Sequence, residues 1–319
     1  MAAERTHIQP RFRTGQTLYY QIETHTTSTG KTTTPIINPE GGTKFSEDVD
    51  LLARLDVLPA GNSTGGAKSR QGGEPAPVNM RVTYERAHGD SQADAPAFDA
   101  PSAARQYDRL VGHSFEFTLE PSGAITNLKD IDNTLQNATG VAPAALSWMR
   151  ILETSNSFPQ RGISVGQRWT GERPLGGAPL ARLVWHADST YLRNEPCKGT
   201  AAEHGTTDDA AGYAGQCAVI LTQFEILRHG SSHADQTPPD YLRHGLRTTG
   251  TLTGTGESLD SISLSSGVLV SSTQTSTQRA DFDIIDAANG EKIHRDGRVQ
   301  TQTVITRVAA PQAPTAAQP

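Results

Sequence analysis

Cysteine is nearly absent from this 319-residue chain: there are two, Cys197 and Cys217. That excludes a cysteine-rich metal framework and a multiply bridged miniature fold. Charged residues make up only 19% and aromatics 6%. No Lys/Arg cluster is dense enough to follow a phosphate backbone, and the net charge is −6, so nucleic acid is not an expected partner. No run of 18 apolar residues occurs, so no transmembrane helix is expected. The apolar fraction, 35%, is also low. Thr, Ser, Gly, Gln and Pro fill the difference. That composition favours strands with one wet face joined by polar loops.

Period-two alternation is the dominant pattern. Leu18, Tyr20 and Ile22 alternate with Tyr19, Gln21 and Glu23. Val49, Leu51, Ala53, Leu55 and Val57 share a face, with Asp48, Asp50, Arg54 and Asp56 on the other. Val78, Met80, Val82 and Tyr84 repeat the pattern, as do Phe115, Phe117 and Leu119. Such runs predict a sheet with one buried face. Pro121-Ser122-Gly123 predicts a hairpin turn, and the segment from Leu246 to Val308 predicts a meander of about four strands.

The period changes in the middle. Leu128, Ile131, Leu135 and Ala138, then Leu146, Met149 and Leu152, recur at three and four residues. This predicts a helix pair, a helical insertion at about 128–156. The predicted fold class is therefore mainly β with a central helix pair: a curved antiparallel sheet, or half-barrel, wrapping two helices. In domain terms, residues 1–10 are expected to be a disordered N-terminal segment, 11–308 a single β-rich domain, and 309–319 a disordered Pro/Ala/Gln tail. The stretches 59–76, 88–101 and 194–216 are expected to be exposed loops.

Short motifs that carry chemistry mostly fail on context. Gly30-Lys31-Thr32 ends like a phosphate loop, but the required earlier glycine is His25, and Pro35 replaces the helix start. Ile293–Gly297, "IHRDG", lacks the accompanying kinase elements. His229, His233, Asp235 and Asp240 are metal-ligating types within one loop; that setting favours solvated side chains, and no metal site or cofactor is expected. Arg228-His229-Gly230 looks like the opening signature of histidine phosphatases, and the tripeptide recurs as Arg243-His244-Gly245. That family's signature opens an α/β domain, whereas the remaining sequence here reads as β.

Two features point further. Cys197 and Cys217 stand at the edges of strand-like runs around a loop-like segment. They either bridge across a hairpin or are two separate buried thiols. Gly250, Gly254 and Gly256 share a strand face with Leu252, and that face lacks bulk. Glycine there serves either sheet curvature or the floor of a ligand groove.

Gly15–Tyr20, Pro121–Ile125 and Val165–Trp169 together resemble elements of uncharacterised secreted or periplasmic bacterial β proteins. The architecture is similar to the half-barrel of periplasmic lipoprotein carriers. That resemblance implies binding or carrying hydrophobic groups, not catalysis, and periplasmic or secreted localisation. The N-terminus, "AAERT" directly before strand-like sequence, also reads as a mature chain whose targeting segment has been removed. The leading functional expectation is a soluble exported binding or carrier module for an apolar small molecule, a lipid or an envelope protein partner. Gly250, Leu252, Gly254 and Gly256 would contribute to the ligand site. The alternatives are an envelope scaffold whose half-barrel is filled by its own helices, and, more remotely, a phosphatase-like hydrolase using His229.

Overall fold

A computed structural model describes residues 5–33, 43–59, 76–94, 105, 107–121, 123–129, 148–149, 153, 158–159, 161–198, 215–231 and 235–311. Eleven strands form one open, curved antiparallel sheet. They are β1 (Thr17–Thr33), β2 (Thr43–Val57), β3 (Val78–Ala93), β4 (Ser114–Leu119), β5 (Ile125–Lys129), β6 (Arg168–Pro174), β7 (Leu183–Pro196), β8 (Gln216–Arg228), β9 (Leu246–Ser263), β10 (Leu269–Asp286) and β11 (Lys292–Val308). The spatial order is β5-β4-β3-β2-β1-β11-β10-β9-β8-β7-β6. Two meanders therefore meet at the centre, where β1 pairs with β11 from Tyr19↔Val308 to Thr33↔His294.

The alternation read from sequence becomes an inner and an outer face. Leu18, Tyr20, Ile22, Leu51, Ala53, Leu55, Met80, Val82, Tyr84, Phe115 and Phe117 are all buried in one core. β3 continues through His88–Ala93, which correct the expected loop at 88–101. The register passes from Leu52↔Arg86 to Ala53↔Tyr84, so Glu85 is an inserted residue. This β-bulge resets the alternation and keeps Ala87, Gly89 and Ser91 inward. Sequence periodicity breaks at a bulge, which is why the strand looked finished. β9 likewise runs unbroken to Ser263, so the meander has three long strands, not about four.

The expected disorder of residues 1–10 is corrected from residue 5 onward. Thr6 bridges Ile163, and Ile8 is buried in the main core. One apolar side chain in a polar segment gives no periodic signal but can still dock. Leu128, expected on a buried helix face, instead lies in β5 and is 44% exposed. The chain turns back at Glu120–Ala124 to pair with β4, and the register shifts by one residue around Asn127, which is in left-handed geometry (φ 51°). Trp148 and Met149 are helical and buried, and the Trp148 indole N–H donates to the Tyr84 hydroxyl at 3.5 Å. Ile131, Leu135, Ala138, Leu146 and Leu152 lie outside the described residues, as does the tail from residue 312. A short helix, α1 (Pro239–Arg243), precedes β9.

The sheet's two edges, β5 and β6, converge on one carboxylate. Glu153 Oε1 accepts the Ile125 backbone N–H at 3.0 Å, and its Oε2 accepts from Arg173 Nη1 at 3.3 Å. β9 extends past the end of β8, and side chains cover its free edge. Gln236 Oε1 accepts the Gly250 N–H at 2.7 Å, and Thr237 Oγ1 accepts the Thr248 N–H at 3.0 Å. An exposed row of unpaired backbone groups would otherwise invite another strand.

Candidate functional site

The glycine strand is the starting point. Gly250, Leu252, Gly254 and Gly256 fall on the inner face of β9 and are half-buried. Gly250 has φ +139°, a conformation that L side chains rarely adopt, and any Cβ there would strike the backbone of Phe282 and Asp281. At Gly254 a Cβ would meet Ile226 at 2.8 Å, and at Gly256 it would meet the Phe224 ring at 2.5 Å. Side chains from β8 thus lie across these two glycines. Phe224 in turn stacks edge-on against Trp185, with centroids 5.1 Å apart. Ile226, Phe282, Leu180 and Leu183 form a second buried cluster, with Leu252, Trp185, Ala280 and Ile284 packed against it.

Gly256 gives a direct test of this packing. A Cβ there would also lie 2.4 Å from the Thr275 carbonyl oxygen, which is backbone and cannot swing aside. Gly256→Ala is expected to lower unfolding free energy by about 1–3 kcal/mol in urea denaturation. Unchanged stability would show that the Phe224 ring and β10 do not press on this position.

Tertiary structure extends the region of low bulk across the sheet. Gly30 stands opposite Gly297, which stands opposite Ala280, which stands opposite Leu252. The neighbouring row is Phe45, Ser28, Val299, Gln278 and Gly254. Gly30 and Gly297 belong to the two motif fragments rejected above for lack of context. Both are strand segments here, and their glycines meet as a cross-strand pair. The result is a shelf of small residues, Ser28, Gly30, Gly297 and Ala280, around Val299; Gly254, at its margin, is covered by the Ile226 and Gln278 side chains. Phe45 stands on one side, and Ile226, Trp185 and Phe224 on the other. Val299, in the middle, is 39% exposed. Sequence reasoning missed the β1 and β11 contributions because each strand carries a single glycine on that face.

Below the shelf the inner face turns polar. Thr24, Thr303, Ser258, Thr222 and Ser189 are buried in a row that crosses the sheet. Thr24 and Thr303 share a hydrogen bond of 3.2 Å, and Ser189 and Thr222 one of 2.9 Å. Asp260 is buried beside this row, accepting from Ser272 at 2.5 Å and Ser258 at 3.2 Å. Burial pushes its carboxyl up to about 6, against those two hydroxyl donors. Burial also raises Glu47, which accepts from Ser91 at 3.3 Å. The Tyr107 phenol beside it is raised by burial and by the Glu47 charge.

The other sequence candidates separate in space. His229 Nε2 lies 2.9 Å from Glu172, whose second oxygen is 3.1 Å from His186 Nδ1. The two imidazoles hold the Glu172 carboxyl below its usual range. His244 Nδ1 instead faces the Asp240 carbonyl at 2.8 Å, so the two Arg-His-Gly tripeptides serve different local contacts. The fold around His229 is an antiparallel sheet, not alternating strands and helices. Asp235 receives the Thr237 N–H and pairs with Arg247, while Asp240 pairs with Arg243. His233 lies outside the described residues. Among the described residues no group of three metal-ligating side chains converges. Trp169, half-buried, packs against Phe158 at 6.2 Å on the margin of the main core.

Cys197 and Cys217 form a disulfide, with Cα atoms 5.0 Å apart. It closes the end of the β7–β8 hairpin, one step beyond the Glu195↔Cys217 and Pro196↔Gln216 pairs.

No protein-family model and no curated protein sequence matches the chain. Among solved structures, one of lipovitellin, described as showing lipid–protein interactions, aligns with 97% of this chain at 11% identity and a TM-score of 0.44. This chain spans 26% of that one. The outer membrane protein OprG from Pseudomonas aeruginosa aligns over 95% of this chain and 100% of its own, at 8% identity and a TM-score of 0.18. Neither likeness is close enough to carry a functional argument.

Proposed function

We propose that this protein is a binding or carrier module of an oxidising compartment, periplasmic or extracellular, that holds an apolar ligand on the small-residue shelf of its inner face. The observation that carries the reading is the shelf itself. Ser28 and Gly30 on β1, Gly297 on β11 and Ala280 on β10 stand close together around Val299, with Phe45 on one side and the Ile226, Trp185 and Phe224 side chains on the other. Small residues let a ligand approach the backbone closely, and apolar walls favour a ligand without charge. The disulfide supports the compartment, since such bridges persist where thiols are not kept reduced. The reading agrees with the function implied by the resemblance to half-barrel carriers.

The test is a titration with a fluorescent apolar probe such as N-phenyl-1-naphthylamine, with organic extraction and mass spectrometry of the purified protein in parallel. The wild type is expected to bind the probe. Ala280→Trp, which fills the shelf from its half-buried centre, is expected to weaken binding ten-fold or more. Ser28→Leu fills the neighbouring row and serves as the second variant should Ala280→Trp unfold. Undiminished probe binding in a folded variant, or none by the wild type, overturns the proposal.

A further inference from the structure

The opposite face of the same four strands carries a groove of about 550 Å³. Two cross-strand rows line it. One runs His25, Gln302, Thr275, Glu257; the other runs Thr27, Gln300, Thr277, Thr255. With strands roughly 4.8 Å apart, the rows cross about 14 Å of sheet.

What distinguishes this groove is hydrogen-bonding capacity that the protein does not use. On β2, β3 and β4 the outer face satisfies itself across strands: Arg54 with Glu85 at 2.5 Å, Arg81 with Glu116 at 2.6 Å, Arg86 with Asp50 at 3.2 Å. His25, at the groove's end, is likewise held by Asp48 at 2.6 Å. Within the groove, Gln300, Gln302, Thr275, Thr277 and Glu257 have no side-chain partner among the described residues. They are neighbours on adjacent strands, yet they face outward in parallel rather than pairing.

The chemistry of these groups selects a ligand class. A carboxamide both donates and accepts, and so does a hydroxyl. An anion needs donors backed by positive charge, and the lining holds one carboxylate, Glu257, and no lysine or arginine; Arg298 and Arg279 stand one row beyond it. An apolar ligand would cover these polar groups without satisfying them, which is costly. A ligand whose own groups each donate and accept meets every side chain, whatever its local orientation. We infer that this groove binds a neutral, hydroxyl-rich chain: an uncharged polysaccharide laid across β1, β11, β10 and β9. No Phe, Tyr or Trp ring stands among the lining residues to stack broadly on a sugar, so affinity per site is expected to be weak and to grow with chain length.

The experiment is affinity electrophoresis of the whole chain through native gels cast with dextran, soluble starch, a soluble β-1,3-glucan or galactomannan, with polygalacturonate as the anionic control. At least one neutral polysaccharide should retard the protein. Gln300→Ala/Gln302→Ala should weaken that retardation ten-fold or more. Thr275→Val/Thr277→Val, which keeps side-chain shape and strand propensity, should weaken it too, so the inference stays testable if the glutamine variant unfolds. Ala280→Trp, on the other face, should bind polysaccharide like the wild type, which separates this inference from the apolar-ligand reading. Retardation by none of the neutral polysaccharides, retardation by polygalacturonate alone, or retardation unchanged in the folded groove variants overturns it.

Discussion

Replacing Asp260 by Asn is expected to stabilise the protein at neutral pH and to leave it unchanged in acid. The carboxyl is buried between Ser272 and Ser258, and burial moves it from 3.8 up to about 6. Below about pH 3 it is protonated in both the folded and the unfolded chain. As pH rises, the unfolded chain ionises first, through 3.8, while the folded chain holds its proton until about pH 6. The stability contributed by the protonated form is therefore full below about pH 3 and is lost as pH rises through 6. A displacement of roughly two pH units corresponds to about 3 kcal/mol at pH 7 and above. Asparagine cannot ionise. Its carbonyl oxygen can still accept from Ser272, and its amide can donate to Ser258. The measurement is urea denaturation of both proteins at pH 7.5 and pH 3.0. The variant should be more stable by up to about 3 kcal/mol at the higher pH and equal at the lower. Equal stability at both would show that Asp260 ionises without penalty, and hence that water or a cation reaches it.

The disulfide should have an effect of similar size with no pH signature. Cys197 and Cys217 are separated by 20 residues, and a ring of that length restricts the unfolded chain by roughly 3 kcal/mol in the chain-entropy picture. Cys217 is fully buried against Val270 at the end of the β7–β8 hairpin, so the bridge also fixes how that hairpin closes. Protein made in an oxidising compartment should show no free thiol. The Cys197→Ser/Cys217→Ser variant should unfold at a midpoint lower by about 3 kcal/mol. Two titratable thiols in the native protein, or equal stability of the variant, would remove the bridge as a stabilising element and with it the support for an oxidising compartment.

The two ligand readings use opposite faces of one sheet, and the physical division between them is simple. In a strand, adjacent residues point to opposite faces. Ser276 and Gly256 therefore alternate with Thr275, Thr277 and Glu257, whose side chains project on the groove side, while Ser276 and Gly256 contribute to the groove lining between them. A substitution on one face leaves the other's chemistry in place, and this allows the two proposals to fail independently.

The face of each strand was determined by the sequence alone. Val49, Leu51, Ala53, Leu55 and Val57 alternate with charged residues, and only one face of such a strand can be buried without stranding charge. The same local logic placed the cysteines at the ends of two strands. Whether they bridge was decided only when β7 and β8 paired in register. The β1–β11 pairing was equally beyond the sequence, because strands so far apart along the chain leave no local signal of which partner each will take. The bulge at Glu85 hid the end of β3, and a turn at Glu120–Ala124 followed by a register shift at Asn127 put Leu128 in an exposed edge strand, where its spacing reads as the start of a helical period. The shelf shows the division most plainly. Gly254 was visible as part of a glycine strand, but Gly30 and Gly297 read as fragments of unrelated motifs. They became one surface only because β1, β11, β10 and β9 lie side by side, and the register of a sheet is set by the packing of whole faces, not by any one residue.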